Sequence, residues 1–330
     1  LPSQIEFSNL DKKMEAAHYL GMATEAEIDE YLGNHVKWVA PLDDVPNKEL
    51  HHPDKMAEAA EYGRTRIDRA RGRVTDPWGM EFELDATGFN NLAHPLAGLE
   101  DEPELLDRYA APDLSGGNMD LIFKSAVADL HRYSGDYLVY LSGYNGIWEK
   151  AYNLVGMEDF MCLLLTAPSL ACRVMDVITE YKVAVARETG RRGFRIGHYG
   201  DDLGTQVSTL VSEEVFLKYF KPRIAKVFAA FREGGIPVQM HSCGAITPFI
   251  PHLIDIGLDV LEPVQTCMDI RFLKQEYGND LTFYGGVDTQ ELLAFASPQQ
   301  VREQTLRTID ILGQNGGYIC CPSQEIMNNV

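Results

Sequence analysis

Two hydrophobic periods alternate along the last two-thirds of the chain. Short apolar runs at 137–141, 194–199, 236–240, 259–265, 281–288 and 318–322 have the length and residue types of strands. Between them, apolar residues recur every three or four positions, the period of an amphipathic helix, over 120–133, 147–165, 168–189, 216–231, 246–256, 269–277 and 297–312. The clearest stripe is Phe216, Phe220, Ile224, Val227, Phe228 and Phe231. Boundary signals agree with the periods. Ser212 can cap one helix, Pro168 and Pro298 suit a first helical turn, and Gly234-Gly235 and Gly316-Gly317 stop helices. Pro251 falls inside 246–256 and predicts a distortion or division there.

Steady strand–helix alternation implies parallel strands joined by right-handed crossovers. A doubly wound nucleotide-binding sheet would show a Gly-rich phosphate turn after an early strand, and no G-x-G-x-x-G is present. The pattern therefore predicts an α/β fold, a TIM (β/α)8 barrel, as one domain over residues 1–330. Residues 119–330 supply the regular units. Residues 1–118 read as an irregular, partly helical N-terminal extension with the first barrel elements. There, helices are expected at 10–20 and 25–32 (Thr24 as cap), a strand at 35–40, a hairpin strand at 78–84, and loops at 41–53 and 90–98.

Composition narrows the partners. Of 330 residues, 45% are hydrophobic and 24% charged, enough for a large core. The net charge of −20 argues against nucleic acid, whose phosphates demand a basic footprint. No apolar run approaches the 18 or more residues of a membrane helix, and no signal peptide is visible. Six cysteines in a chain this long do not resemble a disulfide framework, so a reducing, cytoplasmic setting is expected. One basic cluster stands out, Arg64, Arg66, Arg69, Arg71 and Arg73, readable as a solvated turn or as an anion site.

The chemistry concentrates at strand ends. Val238–Gly244 runs from an apolar strand into His241-Ser242-Cys243. Residues i and i+2 of a strand project to one side, so an imidazole and a thiol emerge together, a pair that suits zinc. Alone, the pair reads more readily as a core histidine beside a buried cysteine. Other strands deliver Tyr144 and Asn145; His198, Asp201, Asp202 and Gln206; Glu262 and Gln265; Asp288; and Cys320, Cys321, Ser323, Gln324 and Glu325. In a TIM barrel these ends gather on one face, where active sites lie. Singly, Asp201, Asp202 or Asp288 could cap a helix, and Glu262 could be a loop residue. A catalytic zinc takes three protein ligands. His241 and Cys243 supply two, and the third is open between Cys320, Cys321, Gln324 and Glu325.

Residues 197–206 (GHYGDDLGTQ), 241–244 (HSCG), 262–265 (EPVQ), 284–288 (YGGVD) and 316–318 (GGY) resemble, in order, the uroporphyrinogen decarboxylase superfamily. The likeness covers about 120–330 and is greatest to its corrinoid-dependent (methylcobamide) methyltransferase branch. It implies zinc held by His241, Cys243 and Cys321. It also implies a corrinoid on a partner protein and methyl transfer between that corrinoid and a small thiol, aryl methyl ether or similar substrate. Asp201, Asp202, Glu262 and Asp288 would then be catalytic, and Tyr144, Tyr152, His198, Tyr199, Gln206 and Gln324 would bind substrate. A homodimer is a further expectation. The superfamily's methyltransferases carry their third cysteine in a Gly-Cys-Gly context after the last strand, where this chain has Pro322-Ser323-Gln324-Glu325. The two-arginine motif of true uroporphyrinogen decarboxylases is missing. The alternative is a decarboxylase-like lyase that acts on a small carboxylated substrate without corrinoid.

Overall fold

The alternation becomes a ring of parallel strands. The computed structural model describes residues 1–42, 59–60, 62–83, 91–143, 145–328 and 330. Among them are eleven strands: β1 Val36–Val39, β2 Arg66–Asp68, β3 Arg73–Thr75, β4 Glu81–Glu83, β5 Asn91–Ala93, β6 Leu138–Leu141, β7 Gly197–Gly200, β8 Val238–His241, β9 Val260–Val264, β10 Thr282–Val287 and β11 Tyr318–Pro322. Strands β7 to β11 form a five-stranded parallel sheet in sequential order, and β1 pairs in parallel with β6. Gly200 N donates to Gly143 O (3.0 Å) and joins the two arcs on one side. On the other side, residues 2–5 stand between β11 and β1: Cys320 N donates to Pro2 O (2.9 Å), Gln4 N to Cys320 O (3.1 Å) and His35 N to Ser3 O (2.9 Å). Seven parallel strands and this short stave complete a TIM barrel.

The expected N-terminal extension is thus part of the ring. Residues 2–5 are a stave, and helices Leu10–Tyr19 and Glu25–Leu32 return the chain to β1. Asn9 caps the first helix, and Thr24 with Glu27 forms a capping box on the second. Between β1 and β6 the chain makes an excursion built on the antiparallel meander β2–β5. The arginine cluster works within it. Arg73 pairs with Glu81 (2.5 Å), Arg71 lies near Asp68, and Arg64 donates to Ala110 O (3.1 Å). Buried Lys150, 3.9 Å from buried Asp76, ties the excursion to helix Ile147–Val155.

Strand periodicity separates two cores. Val36, Tyr140, Ile196, Val260 and Tyr284 come from different sides of the ring and pack together in its interior, with Trp38, Ile319 and Cys321 against them. Val238, Met240, Leu261 and Phe283 join the larger core between strands and helices. On β8, the residues between these outward positions are Gln239 and His241. Proline shapes the helices as well. Pro222 has no N–H to offer, and Phe216–Phe220 before it widens into a π-turn. The 246–256 segment divides into a 3-10 turn at Thr247–Phe249 and helix Ile250–Asp255, with Pro251 in the first turn. No helix among the described residues is long and apolar enough to cross a membrane.

Candidate metal centre at the barrel mouth

Strand β8 ends on His241, and two residues on, Cys243 turns its thiol to the same side. His241 Nε2 lies 3.6 Å from Cys243 Sγ and 3.4 Å from Asp202 Oδ1. Asp202, His241 and Cys243 offer donor atoms that all lie within 4.8 Å of one another. Zinc bonds of about 2.05 Å to nitrogen, 2.3 Å to sulfur and 2.0 Å to oxygen, at tetrahedral angles, put N and S about 3.6 Å apart and N and O about 3.3 Å apart. The nitrogen, oxygen and sulfur donors therefore fit zinc in kind and in spacing.

The surrounding backbone fixes this geometry. Cys243 N donates to Asp202 Oδ1 (2.8 Å), so the two loops that carry these residues are bonded. Gly204 and Gly244 let those loops touch. A Cβ on Gly244, whose φ is +92°, would lie 2.3 Å from Gly204 C. Gln265 holds the far side: its Oε1 accepts from Gly244 N (2.7 Å), and its Nε2 reaches Ser323 O (3.1 Å) and Cys243 Sγ (3.5 Å).

Behind His241 stands Glu262, its register neighbour on β9, with Oε2 2.7 Å from Nδ1. With an ion bound, a carboxylate there would keep the proton on Nδ1 and leave the Nε2 lone pair for the metal. Burial opposes charge on His241, yet Glu262 and the bonds with Asp202 and Cys243 hold its pKa well above the ordinary value. Asp202 is held below its own: burial pushes it up, and the bond and charge of His241 with the bonds from Cys243 together outweigh that. Two carboxylates and a thiol thus converge on one imidazole, which favours a cation at their centre.

Among the described residues, Asp202 is the third member of this group, and Cys321 stands outside it. Cys321 belongs to β11, three strands from β8 in the sheet, and packs in the ring interior. Burial, then Glu262 and Glu6, push its thiol pKa far up. Cys320 faces the other way, into the core beneath the helices. Asp201 is buried and acts as a cap: its carboxylate accepts from Trp148 N (2.9 Å), Glu149 N (2.9 Å) and the Tyr199 hydroxyl (2.7 Å). Gly146 makes room, since a Cβ there would lie 2.5 Å from Asp201. Tyr199 also accepts from Ile147 N (2.9 Å). Asp288 accepts from the N–H groups of Gln290, Glu291 and Leu292 and so caps the turn after β10.

His198 is buried, and its Nδ1 accepts from Gly143 N (3.0 Å). Burial, then His241, lowers its pKa well below the ordinary value. Tyr152 borders the acidic group: burial, then Glu149, Asp201 and Asp202, raise its hydroxyl pKa. Gln206 and Gln324 are exposed. Tyr144 lies outside the described residues.

Two acids escaped the sequence reading. Glu149, in the first turn of helix Ile147–Val155, faces Asp202 and Asp201, and burial and then their charges hold its carboxyl protonated well above the usual range. Glu6, just past the first stave, bears on Tyr140 and Cys321. Neither sits at a strand end flagged by an apolar run, so no sequence signal marked them.

The chain belongs to the uroporphyrinogen decarboxylase (URO-D) family, whose model matches residues 74–330. A methylated-thiol–coenzyme M methyltransferase of Methanosarcina mazei is 28% identical over 174 residues, 49% of this chain and 44% of that protein. The match thus spans less than half of that relative. A methylcobamide:CoM methyltransferase, MtbA, of Methanosarcina acetivorans is 23% identical over 267 residues, 78% of this chain and 76% of the relative. The structure of a methyltransferase from Methanosarcina mazei superposes with a TM-score of 0.58 at 19% identity, covering 76% of this chain and 70% of that one, which shows a shared fold.

Proposed function

We propose that this protein is a methyltransferase that moves a methyl group between a small substrate and a corrinoid carried by a partner protein, with zinc held by Asp202, His241 and Cys243. The observation that carries the reading is the convergence of these three donors at tetrahedral spacing, 3.4 Å and 3.6 Å about His241 Nε2. Two relatives named for methyl transfer to coenzyme M support it. Bound there, zinc would hold a substrate thiol as its thiolate at neutral pH, which makes it a nucleophile.

The chain's own groups have separate tasks. Glu262 orients the imidazole through Nδ1. Asp202 and the Cys243 thiol complete the donor set, and three protein ligands leave one position for substrate. Asp201 positions helix Ile147–Val155, and with it Glu149 and Tyr152, over the site. Glu149, which faces Asp202 and whose carboxyl pKa burial pushes up, is the group placed to take part in proton movement. The corrinoid partner would dock at the barrel mouth, where the strand ends open.

Metal analysis of the purified chain comes first, with one zinc per chain expected. Methylcobalamin and a thiol are then added, and loss of the methylcobalamin absorbance is followed. Absence of both zinc uptake and methyl loss refutes the reading. Release of carbon dioxide from a small carboxylated substrate without corrinoid would favour the decarboxylase-like lyase, to which the family match also lends itself.

A further inference from the structure

We propose that Gln265 is a positioning residue that keeps Cys243 a metal ligand and stops it from becoming a methyl acceptor. The proposal deepens the methyltransferase reading and rests on it. A thiolate held by zinc is a nucleophile whichever molecule supplies it. A site that readies a substrate sulfur for methylation therefore has to spare its own. A hydrogen bond donated to the ligand sulfur does this: it engages the lone pairs that would attack a methyl group and leaves the sulfur bound.

Gln265 is built to give that bond. It is 8% exposed and follows β9, in a turn closed by Met268 N, which donates to Gln265 O (3.0 Å). Its neighbours dictate which way the amide points. Gly244 N is a donor, so it takes the carbonyl oxygen (2.7 Å), and Ser323 O is an acceptor, so it takes the NH2 (3.1 Å). The NH2 has two protons. One goes to Ser323 O, and the other faces Cys243 Sγ, 3.5 Å from Nε2. Ser323 is buried and held in turn, its N donating to Val287 O (2.6 Å). Residues that follow β8, β9 and β11 thus fix the amide, and burial keeps water from competing for the sulfur.

The test treats the full zinc-loaded chain with methyl iodide, and peptide mass spectrometry follows the methyl on each cysteine. At Cys243 an S–CH3 bond forms, the C–I bond breaks and iodide leaves with the electron pair. The metal-held thiolate has no proton to lose. Cys162, an exposed free cysteine, reports ordinary thiol reactivity in the same sample. Two variants keep the size of the side chain. Gln265→Met removes the N–H, and Gln265→Glu keeps the acceptor for Gly244 N but turns an oxygen toward the sulfur. Methylation of Cys243 should rise about tenfold in each, with Cys162 unchanged. An unchanged Cys243 rate in a folded, zinc-loaded variant overturns this inference and leaves the metal reading standing. A folded variant that takes up no zinc also overturns it, because the amide then builds the site rather than restrains its sulfur. A wild-type chain that takes up no zinc overturns the methyltransferase reading instead. The bond is also read without substitution, which decides the matter where neither variant folds. With an NMR-active cadmium isotope in place of zinc, the Gln265 amide protons should show scalar coupling to the metal through Sγ, and an amide without coupling overturns the inference.

Discussion

Glu262→Gln separates a metal centre from a merely buried histidine. The wild-type carboxylate sits 2.7 Å from His241 Nδ1, and its side chain is 15% exposed, so solvent screens the contact little. Glutamine keeps the size and an oxygen that can accept from Nδ1–H. What is lost is the charge, and a charge-assisted bond is roughly twice as strong as a neutral one. Outer partners of metal-bound histidines are worth about 10–100-fold in metal affinity, or about 1.4–2.7 kcal/mol. Zinc affinity measured by competition with a chromophoric chelator should fall by that factor. Urea unfolding of the metal-free protein should change much less, because the amide still fills the space and accepts the bond. Unchanged zinc affinity in a folded Glu262→Gln protein would refute the assignment of Glu262 as the group that aims His241.

Ligand identity gives a second contrast: Cys243→Ser should lower zinc affinity by about 100-fold or more and Cys321→Ser by less than about twofold, measured by the same competition. Asp201→Ala should cost about 2–4 kcal/mol in urea unfolding, since three buried donors lose their acceptor. Gly244→Ala should lower both stability and zinc affinity, because its Cβ would force the β7 and β8 loops apart. Burial lifts the buried Asp76 carboxyl from 3.8 to about 6, against the pull of Lys150, so the folded chain holds this proton more tightly than the unfolded one. Its contribution to stability is then full below about pH 3.8 and lost as pH rises through about 6, by at most about 3 kcal/mol. Urea unfolding from pH 4 to 7 should show a flatter slope in Asp76→Asn/Lys150→Gln.

Most of the ring was legible because its strands are bounded by strong signals. Apolar runs between Gly and Pro marked β6 to β11, and start signals such as Ser212, Pro298 and Thr24 fixed helix starts where the structure has them. Residues 2–5 gave no such signal. They pair through a few backbone bonds and need no alternating pattern, so they read as extension. Strand β5 fell in the expected loop 90–98, because three edge residues against β4 leave no period to detect. At the site, His241 and Cys243 were legible from the i, i+2 rule. Asp202 and Asp201 were both visible but indistinguishable, since adjacent residues take opposite directions and only the packed helix Ile147–Val155 shows which one it claims. The third donor could not be chosen from spacing, because it depends on strand β7 standing beside β8 and on β11 standing three places away.

Loops at the mouth of a barrel can usually be exchanged one at a time. The loops after β7 and β8 cannot. Gly204 and Gly244 meet backbone to backbone, and Cys243 N reaches across to Asp202. The two loops therefore behave as a single heritable module. A graft, insertion or deletion in one has to be matched in the other, or the spacing about His241 is lost. The turn after β10 takes part in none of these bonds, which makes it the natural place to vary substrate range while the candidate metal centre is kept.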